Sequence, residues 1–569
     1  MSLNRYKILF IYYFYRPLLN PYIIMKQITL LVFSILSCFS IFAQRADNYK
    51  PTNPYVYFTQ TNLPIVFINT GNTMILREDR IAARMTIIYN GEGKLNYADT
   101  LAHPDQSTAY KGRIGIKYRG NSSFTNSDKK PYSFRPENES GKKQEVALLG
   151  MGADSDWCLL APYSDKSLIR DMLTFKLAKP YFEYVPDGVH CEVVLDGTYY
   201  GVYILSERVR QGANRLNIPK PGNSGDELTG GYHVEVDRDD EVVYTSNYNP
   251  QYSWGASMIN KKISFQYKYP EFGDLTNEQK VYLHGQINKF ENSLAASNYK
   301  DKQEGYRKYL DVTSFIDYML STEFARNVDG YRLSTNLYKH RDSVDPRFKM
   351  SLWDFNLGFG NANYNDGWNP QSWAYNTNDV NPSEAQLIPF WWYRLLSDPD
   401  YVKEMKDRWT MYRSTNYSNA NIMHVVDSLT NNLNKENAQY RNSLAWPRWN
   451  VWVWPNKYVA SSYNDEINYM KDWITQRLAF MDGTLYTSAE LPQTPTVKIS
   501  PNPVRKGEIL HMNGAQLKSV RLISFSGALI KQGDPSQNTL SMQGVLPGSY
   551  LLVLETTQGW ITEKILVRN

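Results

Sequence analysis

Residues 323–361 read EFARNVDGYRLSTNLYKHRDSVDPRFKMSLWDFNLGFGN. The end of this stretch, SLWDFNLGFGN (351–361), predicts a buried strand that runs into a Gly-x-Gly turn. Leu352, Trp353, Phe355, Leu357 and Phe359 are core residues, yet Asp354 and Asn356 stand among them. A carboxylate in apolar surroundings is costly unless a cation, a metal or donated hydrogen bonds compensate it. Asp354 is therefore expected to hold something. Upstream, Asp329 follows a helical pattern in an Asn-Val-Asp-Gly turn, and Asn336 opens the next strand. A loop acid, an amide a few residues on, and an acid before a Phe and a Gly-containing turn is the order of parts in phosphoryl-transfer sites. There one Asp orients the nucleophile, while an Asn and a second Asp hold Mg²⁺, which needs only one or two carboxylates beside phosphate and water oxygens. The spacing is not that of ordinary protein kinases, and neither GxGxxG nor a Walker loop occurs. A structural Ca²⁺ site and a buried acid capped by backbone N–H groups are the competing readings.

Two cationic segments precede this stretch. In GIKYRGNSSF (115–124) a strand leads into the small polar turn Gly120-Asn121-Ser122-Ser123, and DKKPYSF (128–134) brings Lys129 and Lys130. Exposed N–H groups and hydroxyls beside a Lys can cradle an anion; the same residues also make an ordinary hairpin tip. In DSDWCLLAPYSDKSLIRDML (154–173), Lys166 and Arg170 are four apart on the first turns of an expected helix. They would favour an anionic ligand, or pair with Asp165 and Asp171. Glu207 ends the apolar strand YGVYILSERV (200–209), where an acid can pair a Lys.

Outward from these motifs the chain predicts an α+β body. PIVFINT (64–70), ARMTIIYN (83–90), RIGIKYRG (113–120) and PYSFRP (131–136) alternate apolar and polar residues and predict an antiparallel sheet. A helix is expected over 167–182 with Ser167 as N-cap, a hairpin around Asp196-Gly197, and a strand at 230–239. The spacing then turns helical at 276–297, 304–324, 387–415, 419–440 and 463–485, a sheet half followed by a helical half. ELPQTPT (490–496) predicts a linker, and the short strands of 497–569 predict a small β-sandwich.

The 569 residues, 42% hydrophobic and 21% charged, can bury a large core in two or more domains. A formal net charge of +5 without a long Lys/Arg stripe argues against nucleic acid as a partner. MKQITLLVFSILSCFSIFAQ (25–44) predicts a secretory signal peptide cut after Ala43, with Met25 as the true start and residues 1–24 upstream of it. No stable transmembrane span is expected, since neither apolar stretch comfortably reaches the ~20 residues of one. Cys38 leaves with the signal, and Cys158 and Cys191 either pair or remain buried thiols. Without CxxC, HExxH or other zinc-ligand spacing, zinc is not expected.

RGNSS with KKPYSF, LLGMGADSDWCLLAPYSDKSLIR, GTYYGVYILSERV, NVDGYRLSTNLY and WDFNLGFGN, in that order, resemble the signatures of the CotH kinase family, the spore-coat protein H kinases. The expected domain is 60–489. The resemblance implies an atypical protein-kinase-like fold that uses ATP and Mg²⁺ and phosphorylates Ser or Thr of a partner protein. It implies Asp329 as the catalytic acid, and Asp354, Asn336 and Asn356 as metal ligands. It further implies Lys130 or Lys166 as the phosphate-binding Lys, Glu207 as its acidic partner and Arg170 as another phosphate contact. The tail, with ISPNPV, SFSGALI, LPGSYLLVLET and WITEKILVRN, resembles the type A sorting domain of the type IX secretion system. That implies a secreted or surface-held product of a Bacteroidota-type bacterium, with the secretion machinery as a partner. Two other functions stay open. One is a non-catalytic adhesin that grips glycan or protein through GWNPQSWAY (367–375) and WPRWNVWVW (446–454). The other is a glycoside hydrolase, for which no acid pair stands out beyond the two Asp already placed.

Overall fold

The computed structural model describes residues 49–252, 256–257, 260–485, 497–514, 516–524, 529–556 and 559–569. The expected signal peptide, with Met25, Cys38 and Ala43, and the expected linker 490–496 lie outside the described residues. The chain forms two compact units: one up to Glu404 together with Met411–Arg477, the other Met405–Thr410 with Leu478–Asn569.

In the first unit, Gly188–Leu195, Thr198–Ser206, Trp157–Leu160, Tyr132–Glu137, Thr108–Tyr118, Ile81–Ile88 and Ile65–Asn69 follow one another around a closed barrel. Every seam is antiparallel except the closing one, where Ile65–Ile68 runs parallel to Glu192–Leu195. The alternating runs thus build a barrel where an antiparallel sheet was expected. Closure leaves no free edge to manage. Val66 and Ile68, Met85 and Ile87, Ile114 and Ile116 point inward at the two-residue period of a strand and share a core with Phe134, Trp157 and Leu159. Asp196 and Gly197, at φ +46° and +76°, make the two-residue turn between Gly188–Leu195 and Thr198–Ser206, the left-handed pair that Asp-Gly supplies. Cys158 and Cys191 are buried and free.

A second, antiparallel sheet has the order Val243–Thr245, Ser264–Tyr269, Tyr232–Val236, Thr335–Lys339, Phe348–Ser351. It joins strands from both halves of the chain, so a division into sheet half and helical half does not describe the domain. The strand Ser264–Tyr269 was not expected, although SFQYKY alternates polar and aromatic residues, and Ser264, Phe265, Gln266 and Tyr267 are all buried. Phe265 and Phe290, on Asn277–Ala295, pack on Trp391 (centroids 5.8 and 4.8 Å apart), and Phe290 on Phe315 of the helix Val312–Ala325 (5.9 Å).

Four expected helices differ in extent. That expected over 167–182 begins at Arg170 and ends at Ala178, because the Ser167 hydroxyl donates to Asp165 Oδ1 (2.5 Å) rather than capping the helix. The 304–324 pattern is an α-helix only over Val312–Ala325, and the 419–440 pattern is broken into Asn419–Asn434 and Ala438–Ala445. The 387–415 pattern is two helices, Trp391–Leu396 and Pro399–Ser414. Pro399 cannot continue the first, and Asp398 caps the second through the Asp400 N–H.

In the second unit a sheet of Lys498–Ser500, Ile509–Asn513 and Thr539–Ser541 and another of Val504–Arg505, Gly559–Arg568, Gly548–Thr556, Leu517–Ile523 and Leu529–Gly533 share a core of Leu510, Met512, Val520, Leu522, Leu552, Leu554 and Ile565. Among the described residues no helix is long and apolar enough to cross a membrane.

Candidate functional site

The strand expected through Asp354 stops at Ser351. Asp354, Phe359 and Gly360 then take φ of +62°, +52° and +77°. Asp is among the few L-residues that tolerate that region, so it suits the turn as well as the chemistry. Three hydrogen bonds pin the loop. Asn327 Nδ2 donates to the Asp354 carbonyl (2.9 Å), the Phe355 N–H to Asp171 Oδ1 (2.7 Å), and the Phe359 N–H to the Ala325 carbonyl (2.7 Å). The Asp354 carboxylate accepts no hydrogen bond among the described residues.

That carboxylate faces a cavity of about 360 Å³ lined also by Asp171, Glu235, Asp237, Asp329 and Asn356, by Arg119, and by the turn Gly120–Ser123. Asp329 Oδ1 accepts from Arg332 Nη2 (3.1 Å) and the Tyr364 hydroxyl (3.2 Å), while its Oδ2 has no partner among the described residues. Glu235 Oε2 pairs with Lys268 Nζ (2.9 Å), and Asp237 Oδ2 accepts the Ser334 N–H (3.0 Å). Like charges meeting in a partly dry cleft cannot all ionise cheaply. Burial and then Asp354 push the Asp171 carboxyl up to about 8. Burial and Asp329 push Asp354 to about 6, and burial and Glu235 push Asp237 to about 7. Against these acids stands Arg119, its guanidinium 5.2 Å from the Trp353 ring and without an ion pair among the described residues.

This donor set fits Mg²⁺: all-oxygen, rich in carboxyls, and short of positive charge. No three His, Cys, Asp or Glu side chains among the described residues are placed to hold a metal by themselves. Nucleotide phosphates and water would supply the remaining ligands, the usual arrangement for this ion.

The acids have a consequence for stability. From about pH 6.5 to about pH 8 the buried His190 and His233, which burial lowers to about 4, are neutral when folded, and unfolded each gives up at most about half a proton, an opposing contribution smaller than that of the acids. Asp171 and Asp237 hold protons there only when folded, since unfolded they titrate near 3.8. A group that binds more protons when folded loses its stabilising effect as pH rises. Without Mg²⁺, stability is expected to fall by about 2 kcal/mol across this window, read as a falling Tm, and Mg²⁺ at pH 8 should recover most of it. A flat profile would show that the acids ionise at no cost.

The structure brings Asp329, Asp354 and Asn356 to one cleft but leaves the other expected residues outside it. Asn336 is buried, its Oδ1 hydrogen-bonded to His233 Nε2 (2.8 Å) and its Nδ2 donating to the Ser334 carbonyl (2.9 Å) and Glu235 Oε1 (3.3 Å). Glu235, directly across the ladder from Asn336, lines the cleft. Lys130 Nζ donates to the carbonyls of Phe124 (2.5 Å) and Ser127, with the Tyr49 ring 4.2 Å away. Lys166 Nζ donates to the Val451 carbonyl (2.6 Å). Glu207 pairs with Arg215 (2.8 Å) instead of a Lys, and accepts the Asp187 N–H (3.1 Å). Arg170 is fully buried between Asp165 (2.6 Å) and Glu466 (2.7 Å), with its Nε on the Gly358 carbonyl (3.1 Å). All are committed to protein partners: Asp165 is a pairing the sequence itself offered for Arg170, whereas Glu466 and Arg215 lie outside the sequence motifs.

Removing one side of a buried ion pair strands the other. Arg170→Met is accordingly expected to lose about 3–5 kcal/mol in urea denaturation. A loss below about 1 kcal/mol, typical of exposed pairs, would return Arg170 to a ligand-binding role.

Among the cleft residues the sequence did not assign to the site are Arg119, Asp171, Glu235 and Asp237. A signal existed for two of them. In YHVEVD (232–237) the acids are two apart, hence on one face of a strand. Arg119 immediately precedes the small polar turn, and Asp171 follows Arg170 on its helix.

Residues 116–481 match the family model described as CotH kinase protein. The match begins within Thr108–Tyr118, after the first two barrel strands, and contains every acid of the cleft. No curated protein matches the chain. With more than half of its length and the whole of its acidic cleft inside that match, the chain belongs to the CotH kinase protein family.

Proposed function

We propose that the protein is an exported kinase that uses ATP and Mg²⁺ to phosphorylate Ser or Thr of a secreted or surface protein. The observation that carries this reading is the meeting of Asp354 and Asp329 in one cleft that Arg119 also lines, where among the described residues the Asp354 carboxylate and the Asp329 Oδ2 have no hydrogen-bond partner and Arg119 no ion pair. Asp354, with Asp171, Asn356 or Glu235 completing the protein's share, would hold the cation. Arg119 and the hydroxyls of Ser122 and Ser123 line the same cleft and would meet phosphate oxygens. Asp329 Oδ2 would accept the hydrogen of the attacking hydroxyl while Arg332 and Tyr364 fix Oδ1. Mg²⁺, when bound, would offset charge on the transferring phosphoryl group. Export is supported by the signal-like segment 25–44 and by a tail resembling a type IX sorting domain, whose machinery would be a further partner.

The adhesin reading draws less support, because of the six Trp in its aromatic stretches Trp452 alone is exposed and Trp446 is buried. The test is calorimetric titration of the purified protein with ATP, with and without Mg²⁺, followed by assay of phosphate on Ser and Thr. Binding that requires Mg²⁺ is expected; a well-folded protein that binds no nucleotide would sink the reading.

A further inference from the structure

A larger cavity of about 1520 Å³ adjoins the cleft, and Arg77, Arg119, Gly120, Glu241 and Lys268 line both. The two differ in sign. Seven of the cleft's lining residues are Asp or Glu and four are Lys or Arg. In the groove ten are Lys or Arg and six are Asp or Glu.

Within the groove three guanidinium groups converge on one buried carboxylate. Asp156 lies 3.1 Å from Arg135, 3.4 Å from Arg80 and 3.7 Å from Arg210. Arg208 adds its field to the same cluster and makes no ion pair among the described residues. Asp154 takes one N–H of Arg210 (2.5 Å). Two acids, Asp154 and Asp156, do not neutralise the four guanidinium groups of Arg80, Arg135, Arg208 and Arg210. Burial, and then Arg135, drive the Arg80 guanidinium down to about 10 in spite of Asp156 beside it. Arg135 and Arg210 keep about a third of their side-chain surface open, and each guanidinium has five N–H donors, so donors remain for an incoming acceptor.

We propose that this groove binds an anionic segment of the acceptor protein, one carrying carboxylate or phosphate side chains beside the Ser or Thr that enters the cleft. The proposal rests on the kinase reading of the cleft and deepens it by naming the substrate class. Charge complementarity orders the substrate. The neutral hydroxyl goes towards Asp329, where neighbouring acids would repel an anionic side chain, and the acidic flank goes towards Arg208 and Arg135. Guanidinium clusters recognise anionic peptide groups in this manner, through paired N–H donors on carboxylate or phosphate oxygens. The anionic oxygens have two sources, Asp and Glu of the acceptor sequence, or phosphoserine left by an earlier turnover.

The test is fluorescence anisotropy on the full chain, without nucleotide, using labelled peptides that share a central Ser and differ in its flanks: Asp/Glu, phosphoserine, Asn/Gln or Lys. At least one anionic peptide should bind about tenfold tighter than the Asn/Gln peptide and lose affinity as salt is raised. Whichever of the two binds tighter names the source. Arg208→Gln should weaken that binding about tenfold, with a thermal melt to verify folding. If the variant does not fold, the flank preference and salt dependence of the unaltered protein decide. Equal binding of acidic and neutral peptides overturns the proposal. Equal displacement of the peptide by a sulfated oligosaccharide also overturns it and assigns the groove to a carbohydrate polyanion. Titration with ATP and Mg²⁺ separates the two ideas. Flank preference without nucleotide binding sinks the kinase reading alone, and nucleotide binding without flank preference sinks the groove alone.

Discussion

Asp354→Asn is expected to abolish Mg²⁺-dependent ATP binding, weakening it by about 100-fold or more, without lowering the stability of the metal-free protein. Asn is the informative replacement because it tolerates the left-handed backbone at φ +62° and keeps the shape of the side chain, so only the charge is lost. Outer partners of a metal ligand already contribute about 10–100-fold to affinity, and a direct ligand should exceed them. Stability should hold or rise, since the Asp354 carboxylate accepts no hydrogen bond among the described residues and raises the Asp171 carboxyl by repulsion. Calorimetry and thermal melts without Mg²⁺ check both halves. The opposite pattern, lower Tm with nucleotide binding intact, would make Asp354 a structural acid of the turn.

Asp329→Asn is expected to lower the rate of phosphoryl transfer by about 10²–10⁴-fold while ATP with Mg²⁺ still binds. The amide oxygen can still accept from Arg332 and Tyr364, as Oδ1 does now, so the loop should keep its place. What disappears is the carboxylate oxygen, without a partner among the described residues, that would take the hydrogen of the acceptor hydroxyl. Single-turnover measurements at saturating nucleotide separate the step from binding. If nucleotide affinity drops as far as the rate, Asp329 holds the metal rather than orienting the hydroxyl.

Local interactions were legible in the amino-acid order. The two-residue period of Val66 and Ile68 or Ile114 and Ile116 announced strands, and Asp196-Gly197 announced its turn. Asp329 and Asp354 were legible as a pair because a short segment carries both and polar residues among core residues must be compensated. Barrel closure was not, since Ile65–Ile68 finds its parallel partner at Glu192–Leu195, far along the chain. Arg170, Lys166 and Lys130 have the right chemistry for phosphate but do not line the cleft: Glu466 and Val451, far along the chain, hold the first two, while Lys130 is held locally by the carbonyls of Phe124 and Ser127. The sequence by itself determined backbone periodicity, turns and the two central Asp, because those depend on neighbours within a few residues. Only the tertiary structure decided that Arg119, Asp171, Glu235 and Asp237 share the cleft and that the Arg cluster stands next to it, because low-dielectric electrostatics act through space between segments with no shared spacing.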